Sequence, residues 1–145
     1  MIYVASSWRN VHHPTVVKAL RAEKHTVYDF RNPEASFAWP DIDPNWKSWT
    51  TAQFADALSH PLARAGFEAD MTALRKSRAV VVVLPCGRSA HLEAGWAAGQ
   101  GKLVIVYSPE KQEPELMYSM FNLWLPGWNI VSRLPELLYR MEIKK

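Results

Sequence analysis

Apolar and polar positions follow two different periods along the chain, and their alternation predicts its secondary structure. Short apolar runs predict β-strands at residues 2–6, 26–30, 79–84, 103–107 and 129–131. Apolar residues at helical spacing predict helices from Pro14 to about 24, then at 54–58, 61–77, 89–99, 113–123 and 135–141. Strands and helices therefore alternate from end to end. This order predicts a flavodoxin-like α/β fold, a doubly wound parallel sheet of about five strands, in a single domain spanning residues 1–145.

The run AVVVVL at residues 79–84 is apolar at every position. Such a strand is typical of the centre of a parallel sheet that helices cover on both faces. In sheets of this kind, ligands bind beyond the carboxyl ends of the strands, near the point where the strand order switches. Three segments follow strand ends and are therefore candidate binding segments: residues 6–10, the stretch from Arg31 onward, and residues 85–93.

Composition narrows the range of functions. The chain has 145 residues, one cysteine (Cys86) and a net charge of +3 from scattered basic residues. These numbers predict one compact domain without a disulfide, in a reducing cytoplasm. Without a basic stripe or a long apolar run, we expect neither nucleic acid nor a membrane as partner, and a small anionic ligand fits better. The N-terminal residues lack the pattern of a signal peptide.

The most informative segment is CGRSAHLE at residues 86–93, which leaves the central strand and enters a helix. Gly87 allows a sharp turn, Ser89 is the expected N-cap, and Arg88 and Ser89 at the helix start favour an anion. Glu93 lies about one turn beyond Ser89, where the helix start favours an ionised carboxylate. Two interpretations stay open at this point: Glu93 reacts with a substrate, or it is a capping-type acid of the first turn.

Residues 66–102 resemble the nucleoside 2-deoxyribosyltransferase family. Its superfamily includes nucleoside 5'-phosphate N-hydrolases and is related to TIR-like domains. In this family an acidic residue in the helix before the central strand is followed by a loop, a Glu-x-Gly-x-Ala motif and Gly-Lys. The matching positions here are Asp70, the loop 86–89, the motif EAGWA that begins at Glu93, and Gly101-Lys102. The opening IYVASS and the segment ELMYSM at 115–120 also fit.

The resemblance implies an enzyme that cleaves or transfers at an N-glycosidic bond without a cofactor. Glu93 would attack the anomeric carbon and hold the sugar, and Asp70 would assist the departing base. One position departs from the family, which carries an aspartate for the sugar 5'-hydroxyl six residues before the glutamate. Gly87 stands there in this chain. Because an aspartate would repel a phosphate, Gly87 with Arg88 and Ser89 favours a nucleoside 5'-monophosphate over a free nucleoside.

Further residues are expected to bind substrate or partner. After the first strand they are Ser6, Ser7 and Trp8. The long loop 31–60 is predicted to cover the base. At least one of its rings, Phe37, Trp39, Trp46 or Trp49, is expected to stack on the base, and packing of the loop onto the sheet is the alternative. We also expect a homo-oligomer, with Trp124 and Trp128 in the core or at a subunit interface.

Two other classes of function remain open: a non-catalytic nucleotide sensor on the same fold, and a TIR-like enzyme that cleaves NAD. Other motifs give weaker signals. Cys86 with His91 suggests a thiol nucleophile, but packing is the better interpretation of a cysteine after a buried strand. His12 and His13 are expected to be a helix cap and a surface residue, and without a third ligand no metal site is predicted.

Overall fold

The structure is a computed structural model that describes residues 1–32 and 36–143, apart from the side chains at 128–130 and 142–143. The chain divides into two compact units. The first consists of Met1–Asp29 and Lys76–Lys145, and the second of Phe30–Arg75. Among the described residues, no helix has the length and apolar character that crossing a membrane requires.

The first unit contains a five-stranded sheet in which every neighbouring pair of strands is parallel. The strand order is β2-β1-β3-β4-β5, so β3 lies at the centre, as the continuous apolar run predicts. The strands are β1 (Ile2–Ala5), β2 (Val27–Asp29), β3 (Ala79–Val83), β4 (Leu103–Ser108) and β5 (Leu123–Pro126). The helices of the whole chain, counted over both units, are α1 (His13–Ala22), α2 (Thr51–Ala57), α3 (Pro61–Lys76), α4 (Arg88–Gly99) and α5 (Leu134–Ile143). The predicted flavodoxin-like α/β fold is therefore confirmed.

One face of the sheet packs against α1 and α5. Alternate strand residues face these helices, and the period of two along each strand places them on one side. Leu20 of α1 and Leu138 of α5 belong to this cluster, and both are fully buried. The other strand residues, such as Val80 and Val82, are also fully buried, because α4 covers the opposite side by packing on β1, β3 and β4.

Helix α4 meets the sheet through small residues. Ala90, Ala94 and Ala97 are buried, which lets the helix backbone approach the strands closely. A glycine lies just beyond the end of the helix. Gly101 has φ of 69°, a left-handed conformation that suits glycine just beyond a helix.

Two predicted elements near the C-terminus are wrong. Residues 113–123 were expected to be helical, yet only Leu116–Met120 form a short 3-10 helix and β5 begins at Leu123. The last strand was expected at 129–131, but Trp128–Arg133 form a 3-10 helix that leads into α5. The short run LWLP forms the edge strand instead, and Pro126 is tolerated at its end because an edge strand has one unpaired side.

In the second unit, rings from the long loop pack on one another. Phe54 of α2 makes edge contacts with Trp39, Trp46 and Trp49 at centroid distances of 5.7, 6.3 and 5.2 Å. Phe37 contacts Trp39 in the same way at 5.0 Å. Edge-to-face pairs of this kind stabilise beyond the area they bury. The rings therefore form a half-buried aromatic cluster within this unit.

Hydrogen bonds within the same loop and at the start of α2 also stabilise it. The indole nitrogen of Trp49 donates to Asp43 Oδ2 at 2.8 Å, and α2 begins with a capping box between Thr50 and Gln53. A Cβ at Gly66 of α3 would lie 2.8 Å from Phe37 Cβ, so only glycine allows this close approach.

The helix packing on the sheet can be tested at α1. Replacing the fully buried Leu20 with alanine should lower the free energy of unfolding by about 2–5 kcal/mol, because it removes apolar contacts and leaves a cavity. Lys18→Ala, on the exposed side of the same helix, should change it by less than about 0.5 kcal/mol. Urea unfolding followed by circular dichroism measures both values. Equal losses from the two variants would contradict the assigned packing.

Candidate active site

The candidate site of the first unit lies at the carboxyl ends of β1 and β3. In the order β2-β1-β3-β4-β5, β2 is added on one side of β1, and β3 to β5 are added on the other side. A doubly wound sheet forms its binding crevice at this switch in strand order, between β1 and β3. The segment after β1 carries Ser6, Ser7 and Trp8, and the segment after β3 carries Gly87, Arg88 and Ser89. Two of the three predicted binding segments therefore flank the switch point.

Side chains from the β1 segment hold the end of β3. Ser6 Oγ donates to the carbonyl of Val83 at 2.8 Å. Asn10 Nδ2 donates to the same carbonyl at 2.9 Å and to the carbonyl of Pro85 at 3.0 Å, across a cis Leu84–Pro85 peptide bond. Ser6 is therefore placed beside the β3–α4 connection, with its hydroxyl hydrogen directed to the backbone.

The start of α4 differs from the prediction in two ways. Gly87 is the N-cap in extended conformation and no side chain caps the helix, so Ser89 lies inside the first turn and is not the cap. Because α4 begins at Arg88, Glu93 lies in the second turn, and the first turn has no acidic residue. The interpretation of Glu93 as a first-turn capping acid is therefore wrong. The helix dipole contributes little there, because its effect falls off within the first turn.

Glu93 is half-buried beside the thiol of Cys86. Burial raises the pKa of Cys86 from its ordinary value of 9.0 to about 12, and repulsion by the Glu93 carboxylate contributes to the rise. A thiolate is the reactive form of cysteine, so this environment makes Cys86 a poor nucleophile. The packing interpretation of Cys86 fits these values.

His91 links α4 to the segment before β5. Its Nδ1 lies 2.8 Å from the carbonyl of Gly87, and its Nε2 lies 2.9 Å from the hydroxyl of Tyr118. The Cys86 sulfur is 3.6 Å from the same Nδ1. Tyr118 in turn packs against the rings of Phe121 and Trp124, at centroid distances of 5.8 and 6.3 Å.

The two adjacent histidines are both buried, which corrects one expectation. His12 precedes α1 at the cap position but makes no side-chain cap, and its Nε2 donates to Glu110 Oε1 at 2.9 Å. His13, expected at the surface, is fully buried, and its Nε2 lies 3.6 Å from Asp29. No group of three or more metal-ligating side chains occurs within the described ranges.

The fold is similar to that of a solved 2-deoxyribosyltransferase from the psychrotolerant bacterium Bacillus psychrosaccharolyticus. The alignment covers 90% of this chain and 89% of that chain, with a TM-score of 0.63 and 21% sequence identity. The two chains therefore share a fold. At this identity the likeness establishes the fold alone. Neither a protein-family model nor a curated protein matches the sequence.

The predicted site residues fall into two groups, one in each compact unit. Ser6, Ser7, Trp8, Gly87, Arg88, Ser89 and Glu93 belong to the first unit, at or near the switch point. Asp70, on α3, and the four loop rings of Phe37, Trp39, Trp46 and Trp49 belong to the second unit. Asp70 is half-buried, and its predicted role stays a prediction, as does stacking of the rings on a base.

Sequence reasoning did not single out three side chains of this region, Asn10, Glu110 and Tyr118, although Asn10 lies in the candidate segment 6–10 and Tyr118 in the segment 115–120. Asn10 is only 3% exposed although it follows a strand like any loop residue, so nothing local marks it as buried. Tyr118 lies in the stretch 113–123 that was predicted to be helical. Its proximity to His91 depends on the 3-10 helix that forms there instead. Of the predicted interface residues, Trp124 is 39% exposed, whereas the side chain of Trp128 lies outside the described residues.

The state of Cys86 can be tested directly. With a pKa of about 12 instead of 9.0, the thiolate fraction at pH 8 is about a thousandfold smaller than for an ordinary cysteine. We expect native protein to react with iodoacetamide at least about tenfold more slowly than protein unfolded in urea. The rate in native protein should still be rising above pH 10, where the rate of an ordinary cysteine has levelled off. Equal rates in the two states at pH 8 would contradict a protonated, protected thiol.

Proposed function

We propose that this protein cleaves or transfers at the N-glycosidic bond of a nucleoside or nucleoside 5'-monophosphate, with Glu93 as nucleophile. The observation that carries the proposal is the position of Glu93. It is a half-buried carboxylate on the helix that follows the central strand, beside a cysteine that resists ionisation. The 2-deoxyribosyltransferase fold and the EAGWA motif support the same assignment.

The reaction has two steps. The Glu93 carboxylate attacks the anomeric carbon, the bond from that carbon to the base nitrogen breaks, and the base leaves with the electron pair and gains a proton. Asp70 is proposed as the source of that proton. Water or a second base then attacks the anomeric carbon and gives its proton to the Asp70 carboxylate, the bond to the Glu93 oxygen breaks, and both carboxyl groups return to their starting states. Two displacements at one carbon retain its configuration.

A 5'-phosphate is the proposed anionic part of the substrate. Gly87 and Ser89 are exposed, and the exposed Arg88 is the first residue of α4. Backbone N–H groups at a helix start and a guanidinium both favour an anion. A Cβ at Gly87 would meet nothing within 4 Å, so there is open space beside this residue. With glycine in place of the family's aspartate, this position also carries no negative charge that would repel a phosphate.

The homo-oligomer is also a proposal, as is a cytoplasmic setting. The homo-oligomer is supported by several large apolar side chains near α4 and β5 that are exposed: Leu92, Leu116, Met117, Met120 and Trp124. Exposed apolar groups on neighbouring elements are typical of surfaces that pack against another subunit.

The nucleophile is tested by Glu93→Gln. Wild-type protein should release free base from one or more compounds in a mixture of nucleosides and 5'-monophosphates, measured by mass spectrometry. Glu93→Gln should lower the rate at least about 10³-fold, because it removes the attacking group. Glu113→Gln makes the same charge change at an exposed position and serves as control.

Three results would contradict the proposal. Near wild-type turnover by Glu93→Gln would exclude Glu93 as nucleophile. Release of nicotinamide from NAD, with no release from the other compounds, would favour a TIR-like activity. Tight binding of a nucleotide without release of any base would favour a sensor.

The phosphate preference is tested by a matched pair at Gly87. Its φ of −92° is open to any residue, so both Gly87→Asp and Gly87→Asn can be accommodated. The aspartate should weaken binding of a 5'-monophosphate relative to its nucleoside by about 10–100-fold, through loss of a charge-assisted contact. The uncharged asparagine should change this ratio far less. Calorimetric titration of both ligands gives the ratio, and equal effects of the two substitutions would contradict a phosphate beside Gly87.

A further inference from the structure

In the connection between β3 and α4, three alternate carbonyl groups are contacted by Asn10 and His91, and Ser6 shares the first of these carbonyls with Asn10. Asn10 donates to the carbonyls of Val83 and Pro85 at 2.9 and 3.0 Å, and the His91 ring lies 2.8 Å from the carbonyl of Gly87. Asn10 belongs to the segment after β1, whereas His91 belongs to α4 itself. The backbone of residues 84–87 is therefore fixed from two independent elements.

Asn10 uses its whole amide in this contact. Both carbonyls are within reach of Nδ2, and Oδ1 accepts the backbone N–H of His12 at 2.7 Å. The side chain is 3% exposed, so water does not replace these bonds readily. Aspartate has the same shape but no donors, and in this place it would direct a negative charge at two carbonyl oxygens.

The contacts of His91 determine its tautomer. A carbonyl oxygen only accepts, so Nδ1 carries the hydrogen that Gly87 receives. Nε2 of the neutral ring is then an acceptor, and the hydroxyl of Tyr118 donates to it at 2.9 Å. Burial raises the pKa of Tyr118 to about 12, so that hydroxyl keeps its hydrogen across the neutral range. The assignment therefore leaves each of these atoms with a partner of the right type.

We propose that Asn10 and His91 are positioning residues, which hold residues 84–87 and thereby place Glu93 for attack. This inference rests on the proposed function. The reason is mechanical: α4 begins at Arg88, directly after the Gly87 carbonyl that His91 holds, and Glu93 lies on that helix. A nucleophile displaced by about 1 Å can lose about 10²-fold in rate. Substrate binding depends less on this placement than the chemical step does.

Two substitutions at His91 distinguish the contact of Nδ1 with Gly87 from the contact of Nε2 with Tyr118. In His91→Asn the amide nitrogen takes a place near that of Nδ1, so the bond to Gly87 is kept and the contact with Tyr118 is lost. In His91→Gln the amide reaches toward Tyr118 and the bond to Gly87 is lost. We expect kcat of His91→Asn to stay within about threefold of wild type, and that of His91→Gln to fall about 30–100-fold with KM nearly unchanged. Equal kcat values for the two variants would overturn the proposal.

Asn10→Asp is the second variant. It should lower kcat at least as much as His91→Gln, again with KM nearly unchanged, and a kcat within about threefold of wild type would overturn the role of Asn10. If this variant does not fold, the His91 pair decides. Nitrogen-15 NMR of the His91 imidazole in wild-type protein tests the hydrogen bond from Nδ1 to the Gly87 carbonyl without any substrate. The Nδ1–H tautomer is expected, and an Nε2–H tautomer would overturn the proposal.

These readouts separate the two hypotheses. Absence of base release by wild-type protein would refute the proposed function, and the positioning role would fail with it. The NMR measurement would still report the state of the His91 contact. Base release that Glu93→Gln abolishes but His91→Gln leaves unchanged would uphold the proposed function and refute the positioning role alone.

Discussion

The chain has to leave a fully buried central strand and enter a helix within four residues, with its backbone polar groups paired. All five residues of β3 have no exposed surface, because helices cover both faces of the sheet. A buried carbonyl without a partner costs about 1–3 kcal/mol. The carbonyl of Val83, the last residue of β3, accepts from both Ser6 and Asn10. Polar residues after β1 therefore satisfy the end of β3, and this requirement joins the two segments that flank the switch point.

The environment of Glu93 follows from the same arrangement. Because Gly87 caps α4 without a side chain, the helix begins at Arg88 and carries Glu93 in its second turn. Burial beside Glu93 keeps the Cys86 thiol protonated, so the strongest nucleophile in the sequence is made unreactive. The environment of the Glu93 carboxylate thus depends on packing around the loop more than on the helix dipole.

The sequence predicts most of the sheet because its signals there are physical and local. A run of valines is buried on both faces wherever it lies in a parallel sheet, and Gly101 marks the end of α4 by its left-handed backbone. The prediction fails where long-range contacts decide. Residues 113–123 carry apolar residues at helical spacing, yet Leu123 pairs with Ile105 of β4, so β5 begins inside the predicted helix. His13 is buried by the core that forms around it, and no neighbouring residue signals this.

The candidate site is predicted in part. Its segments follow from the order of strands and helices, whereas Asn10 and Tyr118 enter it only through contacts with residues distant in sequence. For the rings of the loop 31–60, the sequence shows the residues but does not determine their role. Their aromatic character is evident in the sequence, yet the same character suits mutual packing, which the second unit displays around Phe54.

The central claim is that Glu93 forms a covalent bond to the sugar, and trapping that bond tests it most directly. A 2'-fluoro nucleoside 5'-monophosphate slows the second step, since the fluorine destabilises the positive charge that develops at the anomeric carbon. After incubation and proteolysis, the peptide that contains Glu93 should gain the mass of the fluorinated sugar phosphate. A labelled peptide elsewhere in the chain, or base release with no labelled peptide, would contradict the account.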